Sequence, residues 1–341
     1  MMTSEDVPVA KVNTKSLMLR VLLVTVLTTI LVLMLVYPFG MSGRPWSELF
    51  NLGHAPSFFA TFLVFAGLLD PARIGLPGSW HKILPLTGHR LLALAFFLFG
   101  IGVVCEVLQG FVGRLPSVSD VLANVSGLCA GLCWSLSRIR TDQSSRKALS
   151  LLTAGLLIAP SYSPIAELHD CYLQYQEFPL LSSFEREREL HTWYAHEATI
   201  DASTVWATQG VKSLRVRGLA GTKHPGANFS EPIADWHEFA ALELDVFNPA
   251  EKPMTLHITI SDEQHAASGY AHSDRFSTSA ELPPGKHVPI RIELGDVQSA
   301  PESRQIDLSQ IKSLNLFVVR PESDFEFLMD NVRLTDRIGN P

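Results

Sequence analysis

Residues 106–124 read EVLQGFVGRLPSVSDVLAN, between LLALAFFLFGIGVVC before and VSGLCAGLCW after. Both flanks are apolar enough to sit in lipid. The stretch itself carries Glu106, Gln109, Arg114, Asp120 and Asn124. Where those side chains land depends on where lipid ends, so the fold turns on finding the spans.

A crossing helix needs about 20 mostly apolar residues. The run 17–36 (LMLRVLLVTVLTTILVLMLV) qualifies first. It is longer than the apolar core of a signal peptide. YPFGMSGRP follows it instead of a small-residue cleavage site, so it reads as an uncleaved helix. Further spans are predicted at about 54–69, 90–108, 118–136 and 148–168. Pro160 and Pro164 interrupt the last of these. Lys11, Lys15, Arg20, Arg73, Lys82, Arg90, Arg138, Arg140, Arg146 and Lys147 fall on alternate loops. The other two loops hold Arg44 and Arg114. This asymmetry predicts five spans with the N-terminus inside. Everything after the fifth span is then outside, in the periplasm or at the cell surface of a bacterium.

On that topology the opening residues gather at one depth. Glu106 and Gln109 end the third helix, Arg114 sits in a short outer loop, and Asp120 and Asn124 open the fourth helix. His54 starts the second helix from the same side. Glu106 and Gln109 are three apart, and Asp120 and Asn124 four apart, so each pair shares a helix face. Gly127 and Gly131 continue the face of Asn124 and allow a second helix to approach closely. A pocket of His54, Glu106, Gln109, Arg114, Asp120 and Asn124 would suit the polar head of a lipid or lipid-linked saccharide. His54, Glu106 and Asp120 are the candidates for acid–base catalysis. The plainer reading is local: Ser117-x-x-Asp120 is a capping-box-like helix start, and Glu106 with Arg114 is an interfacial ion pair.

The order H…E-x-x-Q…R…D-x-x-x-N-x-x-G resembles the VanZ-like membrane proteins over about residues 45–137. The residues that carry it are His54, Glu106, Gln109, Arg114, Ser117, Ser119, Asp120, Asn124 and Gly127. The resemblance implies a small bacterial multi-spanning protein tied to glycopeptide resistance and envelope chemistry, without naming a reaction. Asn51, Leu52 and Gly53 stand where such proteins often have Lys or Asp before the histidine, which argues against an acid–histidine dyad there.

The 341 residues carry a net charge of −7, most of it in the second half. No basic patch and no nucleic-acid motif occurs, which excludes a nucleic-acid partner. Cys105, Cys129 and Cys133 fall in apolar segments and Cys171 stands apart, so they form no disulfide or metal framework. No internal repeat suggests a transporter.

After a linker at 171–181 the pattern turns to β. ALELDVF (241–247), TLHITI (255–260), HVPIRIEL (287–294), SLNLFVV (313–319) and FEFLMDNVRL (325–334) alternate or run apolar between turn residues. VKSLRVRG and GANFSEP add two more strands. Their spacing predicts an antiparallel all-β sandwich over 182–338. Leu242, Leu244, Val246, Leu256, Ile258 and Ile260 are its expected core, and Trp236 is expected to pack with it.

SFERERELHTW, TQGVKSLRV, DWHEFAALELDVFNP and FLMDNVRL, in that order, resemble galactose-binding-like jelly rolls of the carbohydrate-binding-module type over about 182–336. The resemblance implies glycan binding and a structural Ca²⁺ held by Glu185 and Asp330. Trp193 and Tyr270 are the expected aromatic contacts, with Tyr194 and Trp206 also available. The loop DEQHAASGYAHSDRF (262–276) is the expected binding loop. GxSxG and HExxH are absent. The chain thus reads as a bacterial inner-membrane protein that binds membrane lipid, and an envelope glycan or an envelope protein, without catalysis. No cofactor is expected in its helical half. The alternative is a membrane enzyme working on a lipid-linked or cell-wall glycan.

Overall fold

The computed structural model describes residue 25 and residues 43–70, 85–111, 117–230 and 233–337, with Gln109 described by its backbone alone. The chain divides into two compact units, Met1–Leu168 and His169–Pro341.

The first unit is helical. Helix α1 is Arg44–Leu69, α2 is Gly88–Phe111, α3 is Val118–Ser137 and α4 is Gln143–Ile158. A 3-10 turn at Ala159–Ser161 leads into α5, Tyr162–Glu177. That turn falls on Pro160, which cannot donate to the helical ladder. Asp142 caps α4 by accepting the Ser145 amide at 2.8 Å. Among the described residues, three stretches are long and apolar enough to cross a membrane: Arg44–Leu69, Gly88–Leu108 and the continuous Gln143–Glu177. Phe96, Phe97 and Phe111 on α2 are largely exposed, as a lipid-facing surface requires. Five spans are not supported. The 17–36 run lies outside the described residues apart from Thr25. Helix α3 is there as expected, although it is not one of these three stretches.

The second predicted span, 54–69, also needs correction. Helix α1 begins at Arg44, ten residues earlier, with Pro45 in its first turn, where no amide is needed. His54 therefore lies about 15 Å along the helix instead of at its mouth. The polar start is accommodated by pairing: Arg44 bonds Glu167 of α5 and Asn51 bonds Glu48.

Helices α1 and α3 touch backbone to side-chain position. A Cβ on Gly127 would lie 2.2 Å from the Ala55 carbonyl oxygen, and one on Gly131 would lie 2.6 Å from the Phe62 ring. Only glycine permits this approach. Phe58, Phe62, Leu91, Leu98 and Leu128 fill the space between the helices.

The second unit is a sandwich of two antiparallel sheets. Its strands are β1 Leu180–Ser182, β2 Trp193–His196, β3 Ala198–Ser203, β4 Ser213–Gly218, β5 Gly226–Ser230 and β6 Phe239–Phe247. They continue with β7 Met254–Asp262, β8 Phe276–Leu282, β9 His287–Glu293, β10 Ile311–Phe317 and β11 Phe325–Arg337, with a short helix α6 at Leu294–Ser299. One sheet runs β3-β4-β11-β6-β9, with β1 also on β11. The other runs β2-β5-β10-β7-β8. The six expected core residues are all buried between the sheets. Trp236 is buried with them, its indole nitrogen donating to the Ile233 carbonyl at 2.7 Å. Strands β1, β2, β3 and β8 were not predicted from the sequence: β1 and β2 are 3 and 4 residues long, and β3 and β8 carry mostly small or polar residues.

Candidate functional site

Among the described residues, chemistry-bearing side chains gather in both units. In the helical unit, α1 supplies His54, α2 supplies Glu106, and α3 supplies Asp120 and Asn124. All four are buried. His54 Nδ1 lies 2.9 Å from Asn124 Oδ1. It lies 3.9 Å from Glu106 Oε1, while Nε2 lies 3.8 Å from Asp120 Oδ2. Glu106 also reaches the start of α3, accepting the Ser117 amide at 3.5 Å. One ligand atom each from His54, Glu106 and Asp120 falls within 4.8 Å of the others.

Four of the six expected pocket residues therefore meet, as a core cluster instead of an interfacial rim. Arg114 lies outside the described residues, and so does the Gln109 side chain. Ser117 makes no side-chain cap, and Asp120 turns into the bundle toward His54. The capping-box reading is thus replaced by a tertiary one.

In the sandwich, the outward face of β2-β5-β10-β7-β8 carries a groove of about 730 Å³. Its floor follows from register. Tyr194 is opposite Asn228, Asn228 opposite Asn315, Asn315 opposite Thr259, and Thr259 opposite Ser277. This polar row crosses all five strands, a distance of about 19 Å at the usual strand spacing. Asn315 donates to Thr259 Oγ1 at 3.1 Å, and Ser230 donates to Asn228 Oδ1 at 2.8 Å. A parallel row holds His196, Gly226, Phe317 and His257. The His257 ring stacks on Phe317 at 5.6 Å, and His224 meets the same ring edge-on. Gly226 keeps this row open, because a Cβ there would lie 2.1 Å from the Leu316 carbonyl oxygen. The arrangement offers flat faces for C–H surfaces and amides and hydroxyls for oxygen atoms.

The expected binding loop contributes to this groove only through His272 and Arg275. The rest of it is an internal strut. Arg304 bonds both Asp262 oxygens at 2.6 and 2.8 Å and both Asp274 oxygens at 2.6 and 2.9 Å, and His265 joins Asp274 at 3.2 Å. Arg304 holds the Asp274 carboxyl well below the usual carboxylate range. Burial pushes Asp262 up, but Arg304 and the Asp307 amide outweigh it and the net shift is downward.

Trp193 needs correcting as a ligand contact. It is buried, stacked on Phe229 at 4.7 Å, and bonded through its indole nitrogen to Ser182 Oγ at 3.0 Å. Its neighbour Tyr194 points the opposite way, onto the groove, as strand alternation demands. Tyr270 is exposed, lies edge-on to His265, and is not part of the groove lining.

Glu185 and Asp330 both close the segment 206–212. Glu185 Oε1 accepts the Val211 and Lys212 amides, each at 2.7 Å. Asp330 Oδ2 accepts the Thr208 and Gln209 amides at 2.7 and 2.8 Å, and its Oδ1 accepts the Asn331 amide. Amide donors thus occupy positions a cation would need. Among the described residues no third metal-ligating side chain joins the pair. A Ca²⁺ ion wants six to eight oxygens, so these two carboxylates would need backbone carbonyls in support. Burial raises the Asp330 carboxyl above its ordinary range, against the pull of those amides.

The sequence reading missed the groove residues His196, Asn228, His257, Thr259, Asn315 and Phe317. Their signal was present in TLHITI and SLNLFVV. If Ile258 and Leu316 face in, His257, Thr259, Asn315 and Phe317 face out.

No family model matches the chain, and no curated protein matches it. Solved structures similar to the sandwich half include an exo-beta-agarase at 20% identity and a TM-score of 0.38. That match covers 48% of this chain and 25% of the agarase, so this chain spans about a quarter of that enzyme's length. A family 11 carbohydrate-binding module from Clostridium thermocellum, in complex with a mixed-linked tetrasaccharide, is 17% identical with a TM-score of 0.36. It is matched over 47% of this chain and 96% of its own length. The CBM22-1 xylan-binding domain from Paenibacillus barcinonensis is 18% identical with a TM-score of 0.34, over 47% of this chain and 96% of that domain. The sandwich assignment itself rests on strand order and register.

Proposed function

We propose that this chain is a membrane-embedded bacterial envelope protein whose sandwich binds a polysaccharide chain in the groove of the β2-β5-β10-β7-β8 sheet. The observation that carries this reading is the polar row from Tyr194 to Ser277 beside the His257–Phe317 stack. An open, elongated groove with aromatic and amide contacts suits a linear glycan better than a compact metabolite. The sandwich lies outside the membrane and the helical unit, VanZ-like in its polar residues, meets membrane lipid or a lipid-linked saccharide. Retention of the purified full chain on a panel of immobilised linear polysaccharides tests the groove. Binding to one class, weakened in Phe317→Ala, supports it; equal binding by Phe317→Ala refutes it. A C-terminal alkaline phosphatase fusion tests the orientation, and activity comparable to a cytosolic control would reverse it.

A second reading has its own observation. His54, Glu106 and Asp120 converge from three helices, as a catalytic centre on a lipid-linked or cell-wall substrate would require. Glu106→Gln keeps the shape and removes the charge. Full biological function in that variant would eliminate catalysis by Glu106.

A further inference from the structure

The buried cluster at His54 poses an electrostatic problem that its geometry answers. Asn124 Oδ1 can only accept, so at 2.9 Å His54 Nδ1 carries the proton. In the neutral ring Nε2 is then a bare lone pair. It is fully buried, has no hydrogen-bond partner among the described residues, and faces Asp120 Oδ2 at 3.8 Å. A lone pair and a carboxylate oxygen face each other favourably only with a cation between them.

That cation is either a proton or a metal ion. A proton shared between the two atoms would draw them to about 2.7–3.2 Å. The observed 3.8 Å is too long for that. It exceeds by only about 0.4 Å the separation of about 3.4 Å that two ligands take across a tetrahedral ion bonded to each at about 2.0–2.2 Å. Glu106 brings a third ligand atom into the same 4.8 Å group. The three ligands come from three helices: Gly127 and Gly131 set the close approach of α3 to α1, and Gly102 of α2 sits against Phe58 and Asn124.

We infer that His54, Glu106 and Asp120 bind a divalent first-row transition ion of the Zn²⁺ or Mn²⁺ class. One imidazole with two carboxylates suits these ions better than Mg²⁺ or Ca²⁺, which favour oxygen alone. Asn124 is the positioning residue: its contact with Nδ1 fixes the tautomer and turns Nε2 onto the ion, the usual second partner of a ligating histidine. Three protein ligands leave a position open to water or to an anionic oxygen of a substrate. The inference is independent of glycan binding, which belongs to the other unit.

The test uses the full chain purified in detergent without chelator. Elemental analysis is expected to find close to one transition-metal equivalent per chain. After stripping with EDTA, Zn²⁺ followed by calorimetry and Mn²⁺ followed by electron spin resonance are expected to rebind at that stoichiometry. Co²⁺ is expected to give visible bands of a nitrogen–oxygen site. His54→Ala and Asp120→Asn should lose the ion, and Asn124→Ala should weaken it by about 10–100-fold. His287→Ala, on the sandwich, should change nothing. Stripped wild-type chain that takes up neither Zn²⁺ nor Mn²⁺ would overturn the inference without recourse to any variant. So would uptake that His54→Ala and Asp120→Asn leave intact.

Discussion

His54 of α1 and Asn124 of α3 are 70 residues apart and hydrogen-bonded at 2.9 Å inside the helical unit. The bond ties two helices that also meet where Gly127 replaces a side chain with the Ala55 carbonyl. It makes the polar cluster part of the packing, so its perturbation is read first as stability. Asn124→Leu fills the same volume and strands the Nδ1 proton in a dry site. A cost of about 1–3 kcal/mol is expected, seen as a lower melting temperature in detergent. Asn124→Asp, which keeps an acceptor, should retain more of the stability. Equal melting of Asn124→Leu and wild type would show that the bond contributes nothing.

The helix approach makes its own prediction. Gly127→Ala forces a methyl group against a backbone oxygen that cannot rotate away. Overpacking of this kind costs about 1–3 kcal/mol. Gly100→Ala, with nothing within 4 Å of the new methyl, is the control and should melt like wild type. The pair separates a steric effect from a general intolerance of alanine in these helices.

Within the groove, effects should follow the two rows. Asn315 bridges the middle of one and Phe317 the middle of the other. Each alanine substitution should weaken polysaccharide retention about tenfold, near 1.4 kcal/mol. Tyr270→Ala, an exposed aromatic away from the groove, should leave retention unchanged. A larger loss from Tyr270→Ala than from Asn315→Ala would move the binding surface to the 262–276 loop.

Acid should loosen the sandwich through the Arg304 strut. Asp262 and Asp274 both have folded-state carboxyls below their unfolded values. The unfolded chain therefore binds protons first as pH falls. The stabilisation is complete above the ordinary aspartate range near pH 4 and is lost progressively below it. Arg304→Ala leaves two buried carboxylates facing each other and should cost about 3 kcal/mol at neutral pH. Because that variant is relieved by protonating an aspartate, its stability should rise from pH 7 toward pH 5 relative to wild type. A parallel pair of stability–pH curves would contradict the strut.

The segment 206–212 is expected to be held by carboxylates directly. Asp330→Asn loses the charge-assisted bonds to the Thr208 and Gln209 amides. It should lower the melting temperature by the same amount with Ca²⁺ present or with a chelator. A Ca²⁺-dependent rise in wild-type melting would restore the ion to Glu185 and Asp330.

Much of this was legible in the chain itself. Period-two alternation named the inward residues of β6 and β7, from Leu242 to Ile260, and long apolar runs named the helices. That Glu106, Asp120, Asn124 and His54 gather could be read from helix faces and the order of the apolar segments. What alternation could not show was which outward face would be a groove. Tyr194 and Ser277 join one row only through three intervening strands, and that register is set by pairing between distant segments. Nor could it show that Trp193 packs inward, since a tryptophan suits a core and a sugar equally well. The depth of His54 was fixed by Arg44 meeting Glu167 and by glycine contacts far along the chain. Local pattern determines which side a residue faces; only the packed structure decides what it faces.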